Sequence, residues 1–183
     1  MSCTNTKLDE LLNPDLLRAR LISASLYLAA YELLENSIVE RIKIFLVIGF
    51  EVDNSADLAT YRDEVLSRNK SPIYASLSWL LEQNAITKGD LKKYEAIKNC
   101  RNVVAHEMTS VIVGEVKTDY LEQFPIMIAL LKKIETWWIL NVDVPTNPEF
   151  DGVNVTEVDI MPGPVIVLQL LLNIALEEPE TTN

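Results

Sequence analysis

The chain has 183 residues, 49% of them hydrophobic, and a formal net charge of −11. That length predicts one domain with a substantial core. The charge argues against a surface coated with phosphate-binding cations. The best candidate for a membrane span, Val165–Leu176, is shorter than the roughly 20 residues that a span needs, and no apolar leader is seen. We therefore expect a cytoplasmic protein that does not enter the membrane.

Cysteine, histidine and glycine usage excludes several kinds of site. Two cysteines, Cys3 and Cys100, are too few for a disulfide framework, which favours a reducing compartment. A single histidine, His106, argues against a structural zinc site. The five glycines form no phosphate-binding loop. The sequence thus predicts neither a metal nor another cofactor.

A long helix is predicted over residues 14–48, because no Pro or Gly interrupts it after Pro14 and apolar side chains recur every three or four residues. Asn13 can cap its start, and Gly49 can end it. From Leu21 to Leu34 it is apolar nearly all round, which is typical of a helix packed on several sides. The helix should be central in the fold or contact a second subunit.

Two shorter helices follow in the prediction. Asp57–Arg68 reads as one of them, and Ser71 caps the other, which ends near Asn84. Further along, Ser110–Val116 is rich in β-branched residues and is predicted to be extended.

The C-terminal third is predicted to hold two more helices. One begins near Phe124, with Pro125 in its first turn, and continues to about Leu140. Its Trp137 and Trp138 should pack in the core or at a dimer interface. Val153–Ile160 alternates loosely, which is compatible with a short strand, and Val165–Leu176 is a final apolar helix.

The helix that carries the candidate site is predicted from Lys88 to about Ala105. Thr87 and Asp90 form a start like a capping box. The helix has a local charge of +3, with five cations against two carboxylates. The cations are Lys88, Lys92, Lys93, Lys98 and Arg101. This local reversal favours an anion-binding face, although a solvated helix surface has the same pattern.

The candidate site lies at the end of that helix, in the segment Lys98–Glu107. Arg101 can clamp phosphate oxygens, and His106 can take or give a proton near neutral pH. The same two residues could instead stabilise the negative end of the helix dipole. Five residues along a helix turn through about 500°, so the two side chains should point about 140° apart. Either the helix distorts between them, or two chains share the site.

Residues 101–106 read Arg-Asn-Val-Val-Ala-His, which resembles the R-N-x-x-x-H motif of the HEPN superfamily. The resemblance covers about residues 14–141. It implies an all-α bundle that dimerises and often acts as a metal-independent endoribonuclease, as a toxin with an antitoxin partner or as a defence effector. RNA would be the substrate, Arg101 and His106 the catalytic pair and Asn102 a polar neighbour that shapes the site. Some HEPN toxins have a regulatory tyrosine where this chain has Met108.

Three other residues are candidate supports for that pair. Glu32 and Glu35 interrupt the apolar stretch of the first helix and could orient Arg101. Lys98 precedes Arg101 by one turn of the helix. Residues 142–183 lie beyond the resemblance and are predicted to be a C-terminal extension packed on the same domain.

The chain is also similar to the mannitol repressor family. The resemblance rests on a long helix followed by Ser71-Pro72-Ile73 and Asn84-Ala85-Ile86-Thr87, and on the Arg-x4-His spacing. It implies a non-catalytic regulator or adaptor, of the kind that acts in transcription regulation. In that case the acidic surface would bind a basic partner protein.

Overall fold

A computed structural model of the protein describes residues 12–48, 54–116 and 118–176. Within these ranges the chain is mostly helical and contains no strand, which confirms the all-α class. The labelled helices are α1 (Pro14–Ile48), α2 (Asn54–Glu64), α3 (Pro72–Glu82), α4 (Lys88–His106), α5 (Met108–Ile112), α6 (Tyr120–Trp138) and α7 (Gly163–Leu176). Single turns at Leu66–Arg68, Pro148–Phe150 and Glu157–Asp159 are 3₁₀-helical, and α6 continues through a π-helical turn, Ile139–Asp143, into Val144–Thr146.

Helix α1 is the centre of the fold, as its apolar sequence predicts. It contacts each of the other labelled helices. Leu34, Ile38 and Ile42 on its buried face have no exposed surface. A helix covered on several sides needs apolar residues around most of its circumference. Gly49, predicted to end α1, lies outside the described residues.

An aromatic cluster joins α1, α3 and α6. The ring of Trp138 stacks on that of Trp79 with centroids 5.8 Å apart and meets Trp137 edge-on at 5.0 Å. Phe45 of α1 contacts Trp138 at 5.3 Å. Trp138 is buried and Trp137 is partly buried against the core, which is one of the two placements predicted for the pair.

The start of α4 confirms the predicted capping box. Thr87 N–H donates to Asp90 Oδ2 at 2.9 Å, and Asp90 N–H donates to Thr87 Oγ1 at 3.3 Å. Lys133 of α6 also donates to Asp90 Oδ2 at 2.6 Å, and Lys93 donates to Oδ1 at 3.2 Å. Burial works to raise the pKa of this carboxyl, but the hydrogen bonds from Lys133, Thr87 and Lys93 hold it well below its usual range.

We expect Asp90→Asn to reduce the acid sensitivity of the fold. The pKa of Asp90 is lower in the folded chain than in the unfolded chain, where it is about 4. Its ionised form therefore stabilises the fold above about pH 4, and that contribution is lost as the pH falls through the folded-state pKa. Urea unfolding at about pH 7 and pH 3 should show a smaller drop in unfolding free energy for the variant.

The exposed carboxylate of Asp15 offers a matched control. Among the described residues it pairs with Arg18, at 3.7 Å, and its side chain is 68% exposed. Between about pH 7 and pH 3 the unfolding free energy of Asp15→Asn should therefore fall as much as that of the wild type. If the unfolding free energy of Asp90→Asn also falls as much, the ionised Asp90 carboxylate does not stabilise the fold.

The predicted strand at Val153–Ile160 is wrong. Thr156 N–H donates to Asp159 Oδ2 at 3.0 Å, and this contact closes the 3₁₀ turn Glu157–Asp159. The described residues contain no neighbouring strand that could form backbone hydrogen bonds with this segment, so it cannot be part of a sheet.

The predicted extended segment Ser110–Val116 is also wrong. Helix α5 runs to Ile112 and is followed by turns in which Gly114 has φ +77°. Val111 is buried in the core, 5% exposed, and packing overrides the weak β preference of such residues.

Two helix boundaries differ from prediction. Helix α6 begins at Tyr120 rather than near Phe124, because Tyr120 and Phe124 lie one turn apart and both are buried. The single helix predicted over Asp57–Arg68 is two pieces, Asn54–Glu64 and Leu66–Arg68. The fully buried Val65 separates them with φ −112° and ψ −63°.

The C-terminal helix α7 packs on α1 and α6. Ser23 Oγ donates to the Ala175 carbonyl at 2.9 Å, which ties the end of α7 to α1. None of the described helices combines the length and apolarity required to cross a membrane.

Candidate functional site

The candidate site sits where α4 ends. The helix is continuous from Lys88 to His106, and Glu107 N–H still bonds the Val103 carbonyl at 2.9 Å. The backbone leaves helical geometry only at Glu107, with φ −118° and ψ 27°. The distortion that would bring Arg101 and His106 together within one chain is therefore absent, and their side chains diverge by about 140°.

The guanidinium of Arg101 lies half-exposed between α4 and α1. Its Nη2 donates to Glu32 Oε1 at 3.3 Å, and its Nη1 donates to Asn102 Oδ1 at 3.4 Å. The guanidinium carbon lies 5.2 Å from the centroid of the Tyr31 ring, within cation–π range. Its Nε is buried and has no hydrogen-bond partner in the described part of the chain. Arg101 is thus held on an aromatic face and retains an unsatisfied donor.

The predicted contact between Glu32 and Arg101 is present, but it is weak. The side chains are 59% and 32% exposed, respectively. Exposed ion pairs of this kind are worth about 0–1 kcal/mol. Glu32 can therefore orient the guanidinium without preventing an incoming anion from replacing it.

The imidazole of His106 is exposed at the last position of α4. It makes no hydrogen bond or ion pair to any residue that the structure describes. Neither a core contact nor a neighbouring carboxylate therefore occupies the ring nitrogens, and a reacting group can reach them.

Glu35 does not contact Arg101 but supports the ring beneath it. Its Oε1 accepts from the hydroxyl of Tyr31 at 2.7 Å and from that of Tyr94 at 2.8 Å. Burial raises the pKa of both phenols above their ordinary value, so they remain protonated donors. Sequence reasoning missed both tyrosines, although Tyr31 and Glu35 stand four residues apart on one helix face.

Lys98 binds Tyr74 of α3. Its ammonium donates to the Tyr74 hydroxyl at 2.6 Å and lies 4.4 Å from the centroid of that ring. The hydrogen bond with Tyr74 raises the pKa of Lys98. Together with Lys93, which is bound to Asp90, this divides the cations of α4 among separate partners. Two of the five cations of the predicted anion-binding face, Lys93 and Lys98, therefore already contact other side chains.

A small acidic groove lies beside the Arg101–Glu32 pair, between α1 and the start of α3. Its volume is about 290 Å³. It is lined by Glu32, Glu35, Asn36, Val39, Glu40, Ser71, Pro72 and Ile73. Three carboxylates and no cation make this groove a better fit for a basic ligand than for a phosphate.

Two other kinds of site, a thiol next to an imidazole and a cluster of metal ligands, are not seen among the described residues. Cys100 Sγ lies 3.2 Å from Thr118 Oγ1 and is not bonded to His106; Cys3 lies outside the described residues. Within residues 12–48, 54–116 and 118–176 no group of three His, Cys, Asp or Glu side chains could hold a metal ion.

Comparisons with models of known families, with curated proteins and with solved structures find no match for this chain. The HEPN and mannitol repressor resemblances therefore rest on the residues of the chain itself.

Proposed function

We propose that the chain is a metal-independent endoribonuclease of the HEPN type that acts as a homodimer, as a toxin or defence effector. One observation carries the proposal: near the end of one continuous helix lie the partly buried guanidinium of Arg101, held by Glu32 and Asn102, and the exposed imidazole of His106, which has no described partner. Arg101 retains a buried Nε without a described partner. The guanidinium could bind an anion and the imidazole could take a proton, each on its own side of the helix.

The chemistry assigns one role to each residue. His106 would remove the proton of the ribose 2′-hydroxyl, and the 2′-oxygen would attack phosphorus. The 5′-oxygen would leave with a proton from a second acid, and Arg101 would stabilise charge on the phosphoryl oxygens. Asn102 would hold one guanidinium nitrogen. The expected ends are a 2′,3′-cyclic phosphate and a 5′-hydroxyl.

A second copy of the chain is part of the proposal. Each chain has one histidine, whereas cleavage needs one group to take a proton and another to give one. Within one chain Arg101 and His106 also point apart. Two copies with adjoining α4 ends would supply two imidazoles and bring the guanidinium of one chain to the imidazole of the other.

The test is RNA cleavage in excess chelator, with the product ends identified. Arg101→Ala should lose about 10²–10³-fold in rate, the usual effect of removing a charge-stabilising donor. Lys92→Ala, an exposed cation on the same helix without a described partner, should cleave like the wild type. If wild type and Arg101→Ala are equally inactive, or equally active, the nuclease assignment fails.

A non-catalytic regulator, resembling the mannitol repressor family, is the second candidate. The acidic groove beside Arg101 and the net charge of −11 favour it, because both suit a basic protein partner rather than RNA. In that case the Arg101–Glu32 pair would be part of the binding surface.

A lysine- and arginine-rich decapeptide is a suitable probe for this second function. Binding that weakens in Glu40→Gln and persists in His106→Ala, in a protein that leaves RNA intact, would support the regulator. A protein that cleaves RNA and ignores the peptide would exclude it.

A further inference from the structure

A cavity lies between α6, the turn that joins α3 to α4, and the 3₁₀ turn Glu157–Asp159. Its volume is about 600 Å³, within the roughly 300–1,000 Å³ of small-molecule sites. None of the described residues that line it belongs to the candidate site around Arg101. The lining residues of α6 and its π-helical turn recur three and four positions apart, so they share one face: Ala129, Lys132, Lys133, Thr136, Trp137 and Leu140.

Small side chains leave this space open beside a fixed aromatic ring. Ala85 and Ala129 both line the cavity and extend no further than a methyl group. The indole of Trp137 is held edge-on against Trp79 and Trp138, with ring centroids 6.1 Å and 5.0 Å apart. Trp137 therefore offers a preformed apolar surface on which a ligand can pack.

The charged side chains of the cavity differ in whether they are paired. Lys133 is already bound to Asp90, at 2.6 Å. Lys132 on α6 and Glu157 on the 3₁₀ turn are exposed, and neither side chain has a hydrogen bond or ion pair to a residue that the structure describes. A simple anion would be repelled by Glu157, and a simple cation by Lys132. A ligand that carries both charges could pair with each of them.

An α-amino acid has this combination, because its carboxylate and its ammonium are attached to the same carbon. Trp137, Leu140 and Val158 offer apolar surface to its side chain. We propose that this cavity binds an α-amino acid with a large apolar side chain, with its carboxylate at Lys132 and its ammonium at Glu157. This site is separate from the residues to which RNA cleavage is assigned.

Thr136 adds a polar group beneath the ligand. It is 7% exposed, and its hydroxyl oxygen is buried without a hydrogen-bond partner in the described part of the chain. Buried hydroxyls are usually paired. A threonine in a helix has two favoured χ1 rotamers, so this hydroxyl can turn to the carboxylate of the ligand or to a water that enters with it.

Titration with L-phenylalanine, followed by tryptophan fluorescence, tests the proposal. All three tryptophans of the chain lie in one aromatic cluster with Trp137, so a ring packed on Trp137 should change their emission. Hydrocinnamate lacks the ammonium, and phenethylamine lacks the carboxylate. Each should bind about tenfold more weakly than L-phenylalanine, the usual effect of losing a hydrogen bond between charged groups.

Two variants assign the two charges. Lys132→Met should weaken binding of L-phenylalanine about tenfold without weakening that of phenethylamine, which has no carboxylate. Glu157→Gln should weaken binding of L-phenylalanine by a similar factor without weakening that of hydrocinnamate, which has no ammonium. Lys92→Met and Glu149→Gln, at exposed positions outside the cavity, should bind L-phenylalanine like the wild type.

Filling the cavity is the third test. Ala129→Phe should abolish binding, because its ring would occupy the space of the ligand, and circular dichroism checks that each variant is folded. The proposal is overturned by a wild type that does not bind L-phenylalanine up to its solubility, or by an Ala129→Phe chain that binds it normally. Equally tight binding of either single-charge analogue would also overturn it. The titration contains no RNA, so its outcome is independent of the nuclease assignment.

Discussion

The His106→Ala variant is expected to slow RNA cleavage by about 10²–10⁴-fold, the usual contribution of a positioned general acid or base. Its free energy of unfolding should change by less than about 0.5 kcal/mol, as for most exposed substitutions. The imidazole is exposed and has no hydrogen bond or ion pair to a described residue, so its loss removes no contact seen in the fold. This separation of activity from stability distinguishes a catalytic histidine from one that stabilises the end of α4.

The alternative role makes the opposite prediction. A histidine that only stabilises the helix dipole would contribute about 0.3–1 kcal/mol in its protonated form and nothing to cleavage. Cleavage rate and urea unfolding should therefore be measured on the same preparations of wild type and His106→Ala. Unchanged cleavage combined with lower stability would leave His106 as a structural residue.

The second large effect is expected at a buried carboxylate. Glu135 of α6 is 2% exposed and accepts from Arg41 Nη1 at 2.6 Å. Ser37 also donates to Glu135, and Arg41 bonds Asp143 and lies 5.7 Å from the centroid of the Trp138 ring. The two charges therefore join α1 to the end of α6 beside the aromatic cluster.

Arg41→Ala should lower the free energy of unfolding by about 3–5 kcal/mol, because it leaves the buried Glu135 carboxylate without its cation. Glu135→Gln should be milder, since the remaining Arg41 side chain is 30% exposed and retains Asp143. Replacing both Arg41 and Glu135 by methionine should recover much of the loss, because neither charge is then buried alone.

The exposed pair Arg18–Asp15, at 3.7 Å, is the control for Arg41. Arg18→Ala should cost less than about 1 kcal/mol. Urea unfolding of the variants gives the free energies. Similar losses in Arg18→Ala and Arg41→Ala would show that burial of Glu135 adds nothing to the pair.

Local signals in the sequence were sufficient for helix α1 and for the start of α4. The capping box at Thr87 and Asp90 placed the start of α4 correctly, and the uninterrupted apolar pattern identified α1 as a long central helix. These features depend on residues within a few positions of each other, where spacing alone determines which groups can meet. The strand expected near Val153 failed because a sheet needs a partner strand that spacing within one segment does not reveal.

At the candidate site, too, the sequence predicted the local features, and the tertiary structure decided the contacts between helices. The sequence by itself predicted that the side chains of Arg101 and His106 diverge if the helix stays regular, and it left open whether the helix distorts between them. The structure shows a continuous helix through His106. Only the tertiary structure decided that Arg101 rests on Tyr31 and pairs with Glu32, while Lys98 turns to Tyr74. Those contacts join residues from different helices, and the packing of α1, α3 and α4 decides which of them meet.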